Sequence, residues 1–511
     1  MASRRDELNA YTFAKRRTLA SFLQPSPSGS EEGAPKPLRA VLPGVIVGIV
    51  VLAVFGAWGM FKPTAPPNWD DLHKNVIVAS KSTTRYVVLK TKGKVQLHPV
   101  LNMASAKLLV DPSDNPPVTV SEDVLDSGKI PHGVTIGIPY APDRLPAASE
   151  AGSAKRWAVC ERPGAGGRAI QKAAFVLAKR DLAKTEGRDK LRGGDLMYVV
   201  GPDTAKTEYV VDASGTAYRI AKQTTKENQQ KLLTALDIAA GNQEPQRVSR
   251  DWLDTLHKGT PITFPTLEGH PGDSANANST LDDSANRVGM VLKTPDQYYV
   301  VLPGKVAPVS DFTAHLLLGS PDLVGLGQAG EATKVSPGAV VASQSFGPAN
   351  WPTYTPKTVN EASTAAGSRN TVCNVLNKVN SDNGRTTLST WAGKNFPAPL
   401  PVGSSSAYVT AGSGQLYRQF TGTETKVGPV FLVTDTGLRY AMQSNSDSGA
   451  DDSGIGTTPK ERKAQREAAG QAVTRLGYEK VDQAPIPLAW SQFLPTGPRL
   501  STTAARQPQG S

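Results

Sequence analysis

The 511-residue chain has only two cysteines, Cys160 and Cys373, and six histidines. Neither cysteine belongs to a CxxC pair and no HExxH occurs, which excludes a structural zinc site and leaves no metal to expect. No GxxxxGK followed by Ser or Thr is present, so P-loop nucleotide chemistry has no motif and no cofactor is expected. A Lys/Arg run is missing as well. The net charge is +11, from 56 basic and 45 acidic residues, yet residues 1–39 hold seven of the bases: Arg4, Arg5, Lys15, Arg16, Arg17, Lys36 and Arg39. The remainder is spread over about 450 residues without clustered charge or interleaved aromatics, so no nucleic-acid partner is expected. With 47 Gly and 40 Pro, the chain is also poor material for a long helical bundle.

What is present is enough to fold: 39% of residues are hydrophobic and 20% charged. The length suggests about three domains. Between Arg39 and Lys62 run 22 residues without a charge, Ala40 to Phe61. As a helix they reach about 33 Å, the thickness of a bilayer's hydrocarbon core. Pro43 falls in the first turns, where a missing donor costs little. Trp58 and Phe61 stand at the far end, where interfacial aromatics are favoured. Seven bases precede the run and one follows it at once, which puts the N-terminus in the cytoplasm and exports the rest. An oxidising exterior then favours a Cys160–Cys373 disulfide.

Ahead of the run, Leu8, Tyr11, Leu19, Phe22 and Leu23 fall within about 120° of a helical wheel, an amphipathic stripe interrupted by Lys15. Such a helix either lies on anionic lipid through its bases or docks into a partner's groove. A membrane span already supplies anchoring, so docking is the expected role, with Leu8, Tyr11, Arg16, Arg17, Leu19 and Phe22 as contact residues. Residues 24–37 are a Pro/Ser linker.

The exterior repeats itself. Tyr209-Val210-Val211 leads through Gly215 to Tyr218 and Ile220, and Phe431-Leu432-Val433 leads through Gly437 to Tyr440 and Met442 at the same spacing. Each pattern predicts a hairpin, followed by a capping box: Thr224 to Glu227 in one copy, Thr458 to Glu461 in the other. Each copy ends in Trp-x-x-x-Leu-x-x-Gly: Trp252, Leu256, Gly259 and Trp490, Leu494, Gly497. The two tryptophans are expected as core plugs of their own lobes, packed on Leu236 and Leu476. Fainter copies start at Tyr86-Val87-Val88 and Tyr299-Val300-Val301 and run into helices over Leu101–Leu109 and Ser310–Leu318.

The expected class is α+β: a membrane helix, then a central β domain carrying four peripheral ββα-like repeats. The boundaries read as 1–39 basic helix and linker, 40–61 span, 62–80 linker, 81–149 first repeat and 150–204 first part of the central domain. Then come 205–270 second repeat, 271–294 connector, 295–335 third repeat, 336–424 second central part, 425–500 fourth repeat and 501–511 a disordered tail.

Apparent catalytic groups are weak. His270 and Ser274 share a Gly/Pro/Asn-rich loop with nothing to orient them. The glycines at 164–167 lack the lysine of a phosphate loop. The Asp-rich stretch 445–454 lacks the order and distal Glu of a calcium loop.

Taken together, the segment LNAYTFAKRRTLASFL, one span, the stretch HPVLNMASAKLLV and the Val-Cys pairs at Cys160 and Cys373 resemble the EccB family. EccB is a membrane core component of actinobacterial type VII (ESX) secretion systems. The resemblance implies assembly with EccC, EccD and EccE, self-association through the exported domain, and a pseudo-twofold arrangement of the four repeats. The family also carries an ATPase label. No nucleotide motif here supports it, and the resemblance places hydrolysis in the P-loop motor EccC. A structural subunit is therefore the expected function, with an exported hydrolase acting on ATP or cell wall as the competing class.

Overall fold

A computed structural model of the chain describes residues 3–23, 38–60, 65–112, 116–164, 169–238, 243–277, 280–365, 367–400, 406–442 and 471–509. They belong to two compact units, residues 1–67 and 68–511.

The first unit holds α1 (Arg4–Leu23) and α2 (Leu38–Met60). Neither glycine nor proline interrupts α1, and Asp6 and Glu7 in its first turn favour its N-terminal dipole. In α2 the described side chains, 41–57, are all exposed and nearly all aliphatic. They cover about 26 Å. Among the described residues no helix is long and apolar enough to cross a membrane.

Among its described residues the second unit mixes helices with five small sheets. Four sheets share one path. In the first, β1 (Ile77–Ala79), β2 (Arg85–Thr91) and β3 (Lys94–Val100) form an antiparallel meander. After α3 (Met103–Leu109), β4 (Val118–Val120) returns parallel to β1. The chain then contributes β5 (Arg156–Arg162) and β6 (Gln171–Leu177) to the central sheet. The second sheet repeats the meander with β7 (Asp195–Val200), β8 (Glu208–Asp212) and β9 (Thr216–Arg219); β10 (Gln246–Arg247) lies parallel to β7, and β11 (His257–Lys258) parallel to β9. The third uses β12 (Val291–Lys293), β13 (Tyr298–Leu302), β14 (Lys305–Val309) and β15 (Thr333–Lys334). Next, β16 (Lys357–Thr358) joins β7, and β17 (Thr371–Val379), β18 (Thr386–Gly393) and β19 (Ala407–Val409) complete the central sheet in the order β18-β17-β5-β6-β19. The fourth sheet is β20 (Gly414–Phe420), β21 (Val430–Thr434), β22 (Arg439–Met442) and β23 (Ala484–Pro487). In every copy a later residue also bridges the third strand in parallel: Val100 with Ile136, Ile220 with Ile262, Val306 with Ala342, and Met442 with Leu500.

The hairpins thus lie where the sequence predicts them, but each sheet begins one strand earlier. β1 falls in the expected linker, β7 and β20 in the expected central regions, and β12 in the expected connector. β1 and β12 are three residues long, β7 is an apolar run over Leu196–Val200 and β20 is polar at Gln415, Arg418 and Gln419, and the partner of each is set by tertiary pairing that periodicity does not encode. The tail is the second difference. Instead of disorder, the helix Thr502–Ala505 packs on α3 with Ala505 fully buried, and the Gln509 N–H donates to the Thr135 carbonyl at 2.9 Å.

Helix starts follow local capping chemistry. Asn102 accepts from the Ser105 N–H at 3.0 Å and Ser310 from the Thr313 N–H at 3.1 Å. In the second repeat the cap is Thr225, accepting from Asn228, one residue later than the expected Thr224 box; Glu227 pairs with Lys231 at 2.9 Å instead. The Thr458 box and the Asp-rich stretch 445–454 lie outside the described residues.

The repeats share cores in pairs. Leu108 and Leu109 of α3 cluster with Tyr440, Leu476, Tyr478 and Leu500 of the fourth repeat. Leu232 and Leu236, from the second repeat's helix Lys226–Ala235 and its C-cap, cluster with Phe312 and Leu316 of the third. The two repeat tryptophans belong to neither cluster. Trp252 and Trp490 are buried against one face of the central sheet, with Trp157, Val159, Val176 and Val372. The expected contacts with Leu236 and Leu476 are therefore replaced: those leucines serve the helix pairs, and the indoles plug the centre.

Candidate functional site

The central sheet is where the predicted residues meet. Cys160 on β5 and Cys373 on β17 are direct cross-strand partners, bonded to each other with Cα atoms 4.0 Å apart and 213 positions apart in sequence. Both are fully buried on the sheet face opposite Trp252 and Trp490, among Ala158, Phe175, Val375 and Trp391. Alternation along β5 makes this possible, since Trp157 and Val159 point one way while Ala158 and Cys160 point the other.

Next to the disulfide, Glu161 accepts from the Ser249 N–H at 2.7 Å and from the Ser249 hydroxyl. Ser249 in turn caps the short helix of Trp252, whose indole N–H donates to the Val159 carbonyl at 3.2 Å. Burial pushes the Glu161 carboxyl up, against the pull of these hydrogen bonds. The fourth repeat reaches the same sheet through the Trp157 indole N–H, which donates to Gln415 Oε1 at 2.8 Å. A buried carboxylate and two paired indoles thus fix two repeats onto one sheet. Sequence reasoning missed the carboxylate because its partner lies 88 residues away.

The glycine of Trp-x-x-x-Leu-x-x-Gly also acquires a reason. A Cβ on Gly259 would sit 2.3 Å from the Tyr218 ring, and one on Gly497 would sit 2.5 Å from the Tyr440 ring. The same tyrosine–glycine contact closes both repeats.

Two further buried groups carry charge chemistry. Lys155, its side chain buried, donates to the Glu150 carbonyl at 2.8 Å, and burial lowers its pKa. Glu150 accepts from Ser413 Oγ at 3.1 Å, a bond that holds its carboxyl below the usual range and ties the fourth repeat's entry to the helix Ala148–Gly152. His98, fully buried, donates from Nδ1 to the Val134 carbonyl at 2.8 Å and accepts at Nε2 from Thr91 Oγ1 at 3.0 Å; burial lowers its pKa.

The expected docking residues lie on α1 with their apolar side chains in solvent: Leu8, Tyr11 and Leu19 are exposed, and Phe22 is 91% exposed. Arg16 and Arg17 are exposed on the same helix. As a whole α1 is only weakly amphipathic, because Lys15 stands within the stripe and Phe13 off it. The remaining motifs do not assemble. Ser274 Oγ donates to Asn276 Oδ1 at 3.3 Å rather than engaging His270. The loop at 165–168 lies outside the described residues. Among the described residues no group of three or more His, Cys, Asp and Glu could hold a metal ion. This geometry is that of a stapled frame.

Residues 1–510 match the family model for the type VII secretion system ESX-1 transport TM domain B, EccB. The chain is 24% identical over 498 residues to the ESX-3 secretion system ATPase EccB3 of Mycobacterium tuberculosis (strain H37Rv), covering 91% of this chain and 82% of that protein. It is 27% identical over 287 residues to the ESX-1 secretion system ATPase EccB1 of Mycolicibacterium smegmatis (strain MKD8), covering 55% of this chain and 54% of the relative. Its fold resembles a chain of the intact ESX-5 inner membrane complex (TM-score 0.56, 19% identity, 100% of this chain and 96% of that one). It also resembles the EccB3 dimer from the ESX-3 core complex (TM-score 0.54, 21% identity, 85% and 100%).

Proposed function

This chain belongs to the EccB family of type VII secretion, and we propose that it is a structural subunit of the secretion complex, anchored in the inner membrane through the uncharged stretch Ala40 to Phe61. The N-terminus lies in the cytoplasm and residues 68–511 outside it. The uncharged stretch Ala40 to Phe61, with seven bases ahead of it, supports this topology. The exported unit is a central β domain with four repeats set about a pseudo-twofold. The supporting relationship is that the first repeat shares a core with the fourth, and the second with the third. Self-association runs through this unit, and α1 docks on EccC-, EccD- or EccE-like core subunits.

The observation that carries the reading is the exposed row Leu8, Tyr11, Leu19 and Phe22 on α1, flanked by Arg16 and Arg17. Spaced apolar anchors on one helix are how a helix seats in a partner's groove, and losing one anchor there costs about 2 kcal/mol or more. Lipid attraction alone is additive over the bases and indifferent to apolar identity. A Leu8→Ala, Leu19→Ala, Phe22→Ala variant that keeps every base is expected to reach the membrane yet lose co-purification with the motor subunit. Intact assembly in that variant would show α1 to be a lipid-surface helix.

A further inference from the structure

The second repeat carries on its solvent face a set of cations that its architecture does not require. A cavity of about 740 Å³ beside the β8–β9 hairpin is lined by Lys206, Arg219, Lys222 and Lys226, with Glu208 as its one acid. Glu208 is engaged, accepting from the Tyr198 hydroxyl. Asp203, whose charge reaches Lys222, is held by the Thr207 hydroxyl at 2.7 Å. A second cavity of about 320 Å³ adjoins the first, with Arg219 in both walls, and adds Lys258 and Arg250. Arg250 is paired with Asp254 at 3.1 Å. Ala217 faces Lys258 across the β9–β11 pair, and Arg219 follows Ala217 by two residues, so Lys258 and Arg219 occupy neighbouring positions on one sheet face.

The fourth repeat is the internal control. Aligned through Tyr209 with Phe431, Tyr218 with Tyr440 and Trp252 with Trp490, it places Gly428 at the position of Lys206 and Ala441 at that of Arg219. Leu488 replaces Arg250, and Thr496 replaces Lys258. At these four positions the same sheet forms there without a cation, whereas the capping-box match places Lys460 at the position of Lys226. Gathering them in the second repeat costs self-repulsion, offset at Lys222 by Asp203. A ligand that neutralises them accounts for the cluster.

We propose that this face binds an oligoanion, a ligand with two or more phosphate or carboxylate groups, one on the Arg219 fork and others on Lys206, Lys222, Lys226 and Lys258. The fork accepts either group in bidentate fashion, and the lysines act as point charges along the two cavities. The test is calorimetric titration of the full chain in neutral detergent with tripolyphosphate, tricarballylate and orthophosphate. Tripolyphosphate should bind one per chain and at least about tenfold more tightly than orthophosphate, and Arg219→Gln with Lys222→Gln should remove that advantage. Comparable binding of tricarballylate would assign either anion to the site, and weaker binding would assign phosphate. An Arg4→Gln, Arg5→Gln variant, altered only in α1, should bind as the parent does. If Arg219→Gln with Lys222→Gln lowers the melting temperature, Lys206→Gln with Lys258→Gln carries the same test. Equal affinity for orthophosphate, retention in both cavity variants, or loss in the α1 variant would overturn the proposal.

Discussion

Trp252 and Trp490 are buried in one apolar cluster against the same face of the central sheet, although they come from different repeats. That relationship makes the sheet a keystone. Each indole closes an interface between a repeat and the centre rather than the interior of its own lobe.

Truncating either indole should therefore destabilise the exported unit by about 3–5 kcal/mol. Hydrogen exchange should accelerate in β5 and β17 for both Trp252→Ala and Trp490→Ala. Acceleration confined to the helix Lys226–Ala235 in the first variant would place that indole in its own lobe.

The tyrosine–glycine contacts give a second prediction. Gly259→Ala and Gly497→Ala each force a methyl into a tyrosine ring, at a cost of about 1–3 kcal/mol. Combining Gly259→Ala with Tyr218→Ala should cost less than the sum of the two single changes, which a double-mutant cycle in denaturant melts would measure. Simple additivity would refute the contact.

The Cys160–Cys373 bond closes a separation of 213 residues, and the chain-entropy account gives it about 5.4 kcal/mol. Reductant, or Cys160→Ser, should lower the denaturant midpoint of the exported unit and leave the helical signal of α1 unchanged. Two thiols alkylated without reduction, in protein purified from membranes, would contradict the bond.

His98 sets a pH dependence. Its folded pKa is depressed below the ordinary 6.5 by burial, so the unfolded chain takes up the proton first. The stability held above pH 6.5 is lost as pH falls toward the depressed value. Glu161, raised by burial from 4.5, has the opposite sign: its contribution is complete below pH 4.5 and lost as pH rises through its folded pKa. Thermal melts from about pH 7.5 to about 5.5 should show falling stability, and His98→Gln should flatten that slope. An unchanged slope in the variant would remove His98 as its cause.

Much of this frame is legible in the chain itself. The hairpins around Gly215 and Gly437, the helices expected over Leu101–Leu109 and Ser310–Leu318, and the pairing of two lone cysteines all follow from local chemistry or from their number. The first strand of each sheet does not. Ile77–Ala79 and Val291–Lys293 are three residues long, and only their antiparallel neighbours and parallel fourth strands define them. Nor does the ordered end: Ala505 and Gln509 look like polar tail until α3 and the Ile136 edge are in place. The charge cluster on the second repeat is not visible in the chain, because Lys206 meets Arg219 beside the β8–β9 hairpin and Arg219 meets Lys258 only through the β9–β11 pair.

Affinity purification of the tagged full chain from membranes in mild detergent tests the central claim most directly. The account predicts a multi-protein complex that contains a P-loop motor, with ATP hydrolysis following the motor. A chain recovered alone, and hydrolysing ATP without any other subunit, would contradict it.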